Sequence, residues 1–435
     1  MSRNLTGDNL SIVNEPPDVS LEAEILAALK RARAAARTLA LCTSARKNQA
    51  LGALAAMLRE ERGAIMAANA GDLERARASG MAGAFVERLT LNAARIEAMA
   101  RGVEEVAALP DPVGEVIARW RRPNGLEISQ LRVPIGVIAI IYESRPNVTA
   151  DAAVLGLKAG NAVVLRGGKE ALGSNALVAG LIIRALEGAG IARAAVTFVG
   201  NPDREVIQVL KRHPEAIDLI IPRGGKALKE ALAGSAVPLL PHFDGLCNTY
   251  VDRAADLTMA EEICFNAKCS RPSVCNAMET LLVHREAAAR FLPPLAARME
   301  RAGVELRGCA RTRAIVPGAR LATEADWDTE FLGLILAVKV VDSLDEALEH
   351  ITRHGSGLAD AIVTSDRAAA ARFQHEIDSA AVYVNASTRF TDGFEFGFGA
   401  ETGISTSRLH ARGPMGLREL TIYKYVITGN GQVRN

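Results

Sequence analysis

Near the middle of the chain, the stretch Asn266-Ala267-Lys268-Cys269-Ser270-Arg271-Pro272-Ser273-Val274-Cys275-Asn276-Ala277 puts a thiol and two cations beside a proline bend. The run from Leu257 to about Lys268 predicts a helix that delivers Lys268 and Arg271 to the bend, and Pro272 stops it. Cys275 then stands just ahead of an apolar strand, Thr280 to Val283. Thiol chemistry runs through the thiolate, which Lys268, Arg271 and the exposed N–H groups of a turn would all favour. A free cysteine also serves as a small buried hydrophobe, so the bend alone leaves both readings open.

Further candidates follow apolar runs. Between Gly136 and Leu240, runs at 137–141, 162–165, 196–199, 217–221 and 237–240 alternate with helix-like segments. This alternation predicts a parallel sheet covered by helices on both faces. Ligands on such sheets bind beyond the carboxyl ends of the strands, where Tyr142-Glu143-Ser144-Arg145-Pro146-Asn147, Arg166-Gly167-Gly168-Lys169 and Arg223-Gly224-Gly225-Lys226 stand. Each Gly-Gly-Lys segment would let backbone N–H groups and a lysine approach a phosphate. Neither has Walker A spacing and no G-x-G-x-x-G follows a strand, which disfavours an ATPase and a standard Rossmann dehydrogenase. A second alternating section has strands near 281–283, 313–316, 335–341, 361–364 and 381–384, and a helix from about Leu344 to Arg353. It predicts a second α/β domain with Cys275 at its entrance, and a cleft that brings thiol and nucleotide together.

The remaining elements position these two. Ser20 to about Leu109 reads as several packed helices, with breaks at Asn69-Ala70-Gly71-Asp72 and Ser79-Gly80. Their arginines interleave with acids and lack an aromatic platform, so they read as solvated faces and not as an RNA site. Pro123-Asn124-Gly125 joins two alternating arms into a hairpin, and Leu420 to Thr428 is a further strand. Such exposed strands need covering, either by each other or by another subunit, and a homo-oligomer is expected.

The length, 435 residues, predicts two or three domains. The balance of 51 basic and 50 acidic residues excludes binding of nucleic acid by bulk charge. Six cysteines at 42, 247, 264, 269, 275 and 309 form no CxxC pair, so reduced thiols, a cytoplasmic location and no metal are expected. Residues 1–19 read as a mobile polar tail without signal-peptide character, and the apolar runs are too short to cross a membrane.

Several segments together resemble the aldehyde dehydrogenase superfamily: Pro134-Ile135-Gly136-Val137-Ile138, Gly160-Asn161-Ala162-Val163-Val164-Leu165-Arg166, Cys275 and Glu330-Phe331-Leu332-Gly333. The stretch 142–147, Asn266-Ala267-Lys268, 275–280, 403–407 and 410–417 resemble its γ-glutamyl phosphate reductase family. The resemblance implies two doubly wound α/β domains, cofactor and catalytic, plus a β-hairpin oligomerisation element. The expected division is 20–118 with 135–255 for NADP, 119–134 with 418–435 for oligomerisation, and 256–417 for catalysis. It also implies an NADPH-dependent reduction of L-glutamyl 5-phosphate in proline biosynthesis, through a thioester on Cys275, with Asn147 stabilising the oxyanion. As implied, Arg166, Gly168 and Lys169 hold the adenosine end of NADPH and Glu330 orients the nicotinamide ribose; Arg223, Gly224 and Gly225, in the second Gly-Gly-Lys segment, are further cofactor candidates. Arg271, His242, Glu401, Ser405 and Arg412 are candidates for the substrate, and a glutamate 5-kinase is a candidate source of it. The glutamate that activates water in hydrolytic relatives is missing from His242-Phe243-Asp244-Gly245, while a CoA-acylating reaction stays open. Asn248 replaces a histidine usual in the family.

Overall fold

A computed structural model of the chain describes residues 20–81, 83–240 and 244–434. The expected mobile tail, 1–19, and His242 lie outside the described residues. The chain forms two compact units, Met1–Pro241 with Phe398–Gly403 and Met415–Asn435, and His242–Gly397 with Ile404–Pro414.

Among the described residues, the first unit begins with five helices, α1 (Leu21–Leu39), α2 (Ser44–Glu60), α3 (Arg62–Ala78), α4 (Gly83–Leu89) and α5 (Ala93–Ala108). Side chains cap several of them, as Ser20 accepts from Ala23 N and Asn92 from Arg95 N. The hairpin β1 (Val116–Arg121) and β2 (Glu127–Pro134) follows. Then come β3 (Val137–Tyr142), α6 (Asn147–Lys158), β4 (Ala162–Arg166), α7 (Leu172–Gly188), β5 (Val196–Phe198), α8 (Glu205–Leu210), β6 (Leu219–Arg223) and α9 (Lys226–Ala231). The parallel sheet has the order β5-β4-β3-β6, so β3 lies inside it and every residue of β3 is buried. The segment 169–188 has the length and hydropathy of a membrane span, but half of that window is buried, with α7 packed on α2, α3 and α6.

The second unit contains β7 (Cys247–Val251), α10 (Leu257–Cys269), β8 (Met278–His284), α11 (Arg285–Arg301), β9 (Glu305–Gly308), α12 (Ala310–Ile315), β10 (Arg320–Leu321) and α13 (Glu324–Trp327). It continues through β11 (Ile335–Val341), α14 (Leu344–His354), β12 (Ala359–Val363), α15 (Arg367–Glu376), β13 (Ala381–Val384) and the short pair β14 (Ile404–Ser405) and β15 (Gly413–Pro414). Its seven-stranded sheet has the order β10-β9-β11-β8-β7-β12-β13, all parallel. The last strand, β16 (Thr421–Thr428), pairs with β2 in the first unit's antiparallel sheet β1-β2-β16.

Four expectations change. The domain boundary falls at Pro241/His242 and not at 255/256, because β7 is hydrogen-bonded between β8 and β12; 398–403 and 415–417 join the first unit. Residues 313–316 overlap the end of helix α12 and form no strand, while Thr312 Oγ1 donates to Val338 O at 3.0 Å. The run 237–240 contributes one isolated bridge, Leu239 to Ile220. Asn69 and Asp72 do not break α3; they are buried within it. Asp72 accepts from the N–H groups of Gly173 and Ser174 at the start of α7, and Asn69 bonds Leu89 O, Leu91 N and Ser174 Oγ. Tertiary partners satisfy groups that would otherwise compete with the helix backbone.

Candidate active site

Helix α10 starts on the cap Asp256, which accepts from Thr258 and Met259 N, and stops at Ser270 because Pro272 restricts Arg271 and offers no N–H. The next residues form turns, with Ala277 N donating to Val274 O at 3.1 Å, before β8 enters the sheet fully buried. Cys275 is half-buried on this turn, at the amino end of β8. Its carbonyl accepts from Cys247 Sγ at 3.3 Å, and burial pushes the Cys247 thiol well up, leaving it an unreactive neighbour.

Gly245 lies directly on Cys275. A Cβ at Gly245 would fall 1.9 Å from the Cys275 carbonyl oxygen and 2.5 Å from its Cα, so only glycine fits. The Gly245 N–H donates to Glu330 Oε1 at 2.9 Å. One glycine therefore joins the thiol's backbone to the predicted ribose-binding carboxylate. Burial raises the Glu330 pKa, with Asp244 adding to the effect and the Gly245 N–H and Lys268 opposing it.

Lys268 does not serve the thiol as expected. It is fully buried, and its Nζ pairs with buried Glu279 at 2.6 Å, because a desolvated ammonium needs a counter-charge in contact. Burial lowers the lysine and pushes Glu279 up to about 7, with the mutual attraction opposing both shifts. Glu279 Oε1 also accepts from Leu332 N at 3.3 Å, where the backbone has φ +52°. The pair thus anchors the loop that carries Glu330. Arg271 is exposed. Arg389, unnoticed in the sequence, donates from Nε to Ser270 Oγ at 3.1 Å and from Nη1 to Asn276 Oδ1. The polar run Ser387-Thr388-Arg389 just after a buried-strand pattern was the available signal.

Of the other substrate candidates, Arg412 is already paired with Asp378 at 2.6 Å, and Ser405 is buried and accepts from Ser407 N. Glu401 belongs to the first unit, where neighbouring Gly403, at φ +133°, packs on the Arg223 guanidinium. Asn248 donates from its backbone and its amide to Asp360 Oδ1, at 2.9 and 2.8 Å, which accounts for this side chain as a buried structural partner.

In the first unit, the candidates converge on the carboxyl ends of β3, β4 and β6. Asn147 opens α6 without capping it; its amide donates to Asp151 Oδ2 at 2.8 Å. Arg166 is buried, its Nη2 donating to Pro202 O at 2.9 Å, and burial lowers its pKa against the attraction of Glu170 and Glu143. Among the described residues, its buried Nε and the buried Nδ2 of nearby Asn175 find no hydrogen-bond partner, and Lys169 is exposed at the same strand end. Unused donors beside a cation fit the sugar and phosphate of a nucleotide. In the Gly224-Gly225 loop, the Gly225 N–H donates to Glu143 Oε2 at 3.1 Å. Among the described residues, no group of three or more His, Cys, Asp or Glu side chains is placed to hold a metal.

Residues 13–311 and 322–426 match the aldehyde dehydrogenase family model, and the chain belongs to that family. A γ-glutamyl phosphate reductase of Syntrophomonas wolfei is 54% identical over 418 residues, covering 96% of this chain and 100% of the relative. One from Carboxydothermus hydrogenoformans is 56% identical over 412 residues, covering 94% and 99%. The crystal structure of γ-glutamyl phosphate reductase from Thermotoga maritima superposes with a TM-score of 0.92 at 48% identity, covering 94% and 100%. Within the family, this chain stands among the γ-glutamyl phosphate reductases.

Proposed function

We propose that the chain reduces L-glutamyl 5-phosphate to L-glutamate 5-semialdehyde and phosphate, the second step from glutamate to proline. The observation that carries this reading is the seat of Cys275 against Gly245, whose N–H holds Glu330. The Cys275 thiolate attacks the acyl carbon; the C–S bond forms, the C–O bond breaks, and the electron pair leaves on phosphate. A bound reduced nicotinamide would supply the hydride that turns this thioester into a thiohemiacetal. Collapse of that adduct breaks the C–S bond, frees the aldehyde and returns the thiolate. The amide of Asn147 stabilises the oxyanion, its orientation held by Asp151.

Glu330 orients the nicotinamide ribose, and Arg166, Gly168 and Lys169 hold the adenosine end. Lys169, with Arg204 close enough to Arg166 to repel it, favours a cofactor with an additional phosphate, hence NADPH. Arg223, Gly224 and Gly225 border the cofactor through Arg223 and the Glu143 carboxylate. Arg271 and Glu401 are the substrate contacts we retain, since Arg412 is engaged by Asp378. The enzyme acts in the cytoplasm as a homo-oligomer, receiving its unstable acyl phosphate from glutamate 5-kinase.

The test runs the reaction backwards: NADP⁺ reduction with glutamate 5-semialdehyde, with and without inorganic phosphate. Strict dependence on phosphate is expected. Turnover without phosphate would identify water as the acceptor, and turnover only with CoA would identify an acylating dehydrogenase.

A further inference from the structure

Arg389 lies on the short turn Thr388–Phe390. Its two hydrogen bonds reach Ser270, which ends α10, and Asn276, which follows Cys275, so the guanidinium is tied to both flanks of the nucleophilic turn. Asn276 is held in return: its Nδ2 donates to Thr391 O at 2.9 Å, and its carbonyl accepts from Thr388 Oγ1 at 2.8 Å. Arg389 is therefore a fixed cation and not a mobile surface side chain.

Arg389 is half-buried, and among the described residues no carboxylate forms an ion pair with it or with Arg271. Burial and then the Arg271 charge lower its pKa, while Asp392 and Cys275 only partly offset them. A half-buried charge without a counter-ion is unfavourable, and a second cation nearby makes it more so. An arriving oxyanion relieves both, through the charge-assisted hydrogen bonds that guanidinium forms best.

We propose that Arg389, with Arg271 beside it, binds the phosphoryl group of the acyl phosphate and holds the phosphate as it leaves. This rests on the reading of Cys275 as nucleophile in an acyl-phosphate reduction. The phosphate oxygen is bonded to the carbon that Cys275 attacks, whereas the α-carboxylate lies at the far end of the substrate, so a cation fixed to the residue after Cys275 meets the phosphate. As the C–S bond forms and the C–O bond breaks, the guanidinium neutralises charge collecting on the leaving oxygen. In reverse, it presents inorganic phosphate to the thioester.

The experiment is the steady-state reverse reaction on the full chain, varying inorganic phosphate, semialdehyde and NADP⁺ in turn, for wild type, Arg389→Gln, Arg389→Lys and Arg271→Gln. For Arg389→Gln, the KM for phosphate should rise by roughly tenfold or more, with the other two KM values within about twofold. Arg389→Lys should restore part of the loss. Arg271→Gln, which removes no bond to the turn, should raise the phosphate KM by a smaller factor. A rise in the semialdehyde KM with the phosphate KM unchanged would assign the cation to the carboxylate and overturn the proposal. So would a loss of kcat alone, matched by slower alkylation of Cys275 with iodoacetamide, which would make Arg389 a support for the turn only. Wild-type turnover independent of phosphate would instead defeat the acyl-phosphate reading itself.

Discussion

Asn147 and Asp151 are one turn apart on α6, and their hydrogen bond gives the amide a fixed orientation. Burial pushes the Asp151 carboxyl up from 3.8 to about 6, with Asn147 and Arg223 opposing. Above about pH 6 the carboxylate accepts from Asn147; below it, protonation weakens that hold. We expect kcat of the wild type to fall on the acid side of about pH 6, and Asp151→Asn to lack this limb in a pH–rate profile. The stability effect has the opposite sign. A raised folded pKa adds stability below the unfolded value of 3.8 and loses it as pH rises through about 6, so Asp151→Asn should withstand more urea than wild type at pH 8. Cys275, Asn147 and Glu330 were legible as candidates because each stands in a local motif. Arg389 was not, since its partners lie 113 and 119 residues away.

The Lys268–Glu279 pair joins the end of α10 to β8 and, through Leu332 N, to the loop before β11. Lys268→Met leaves a buried carboxylate without its partner and should destabilise the fold by about 3–5 kcal/mol in urea unfolding. The double variant with Glu279→Leu should recover most of that stability. Its KM for the cofactor should nevertheless stay raised, because the Glu330 loop has lost its anchor. On α14, His350 is buried beside Lys339, His354 and Trp327, its Nε2 without a hydrogen-bond partner among the described residues, and burial followed by the Lys339 charge pushes its pKa down to about 3. The unfolded chain takes up this proton first, so stability is present above about pH 6.5 and falls toward pH 3 by about 1.4 kcal/mol per pH unit. Between pH 7 and 5, His350→Leu should lose about 2 kcal/mol less than wild type. Long periodic elements were readable, and α10 and α14 fall within a residue of expectation. The short apolar run at 313–316 was not, because a buried helical turn and a buried strand share that pattern until a neighbour takes the hydrogen bonds.

At the scale of the whole molecule, the sheet β1-β2-β16 exposes every residue of β1 and nearly all of β16. Trp120 and Tyr425 meet edge to face at 6.1 Å, among exposed Ile422, Tyr423, Val426 and Ile427. Both outer strands leave unpaired backbone and apolar side chains to solvent, so a second copy is the expected cover. Tyr425→Lys with Ile427→Lys should lower the mass measured by sedimentation toward that of one chain while the far-UV spectrum stays unchanged. The sequence by itself determined the α/β class, the long helices such as α10 and α14, the hairpin and the cysteine turn, because periodicity, turn residues and proline act over a few neighbouring positions. Tertiary structure decided that β7 joins the second sheet, that Lys268 serves Glu279 in place of the thiol, that Glu143 takes the Gly225 N–H, and that Arg389 brackets Cys275. Each of these depends on which buried charge or backbone group finds its partner across the fold, a choice made by desolvation and distance.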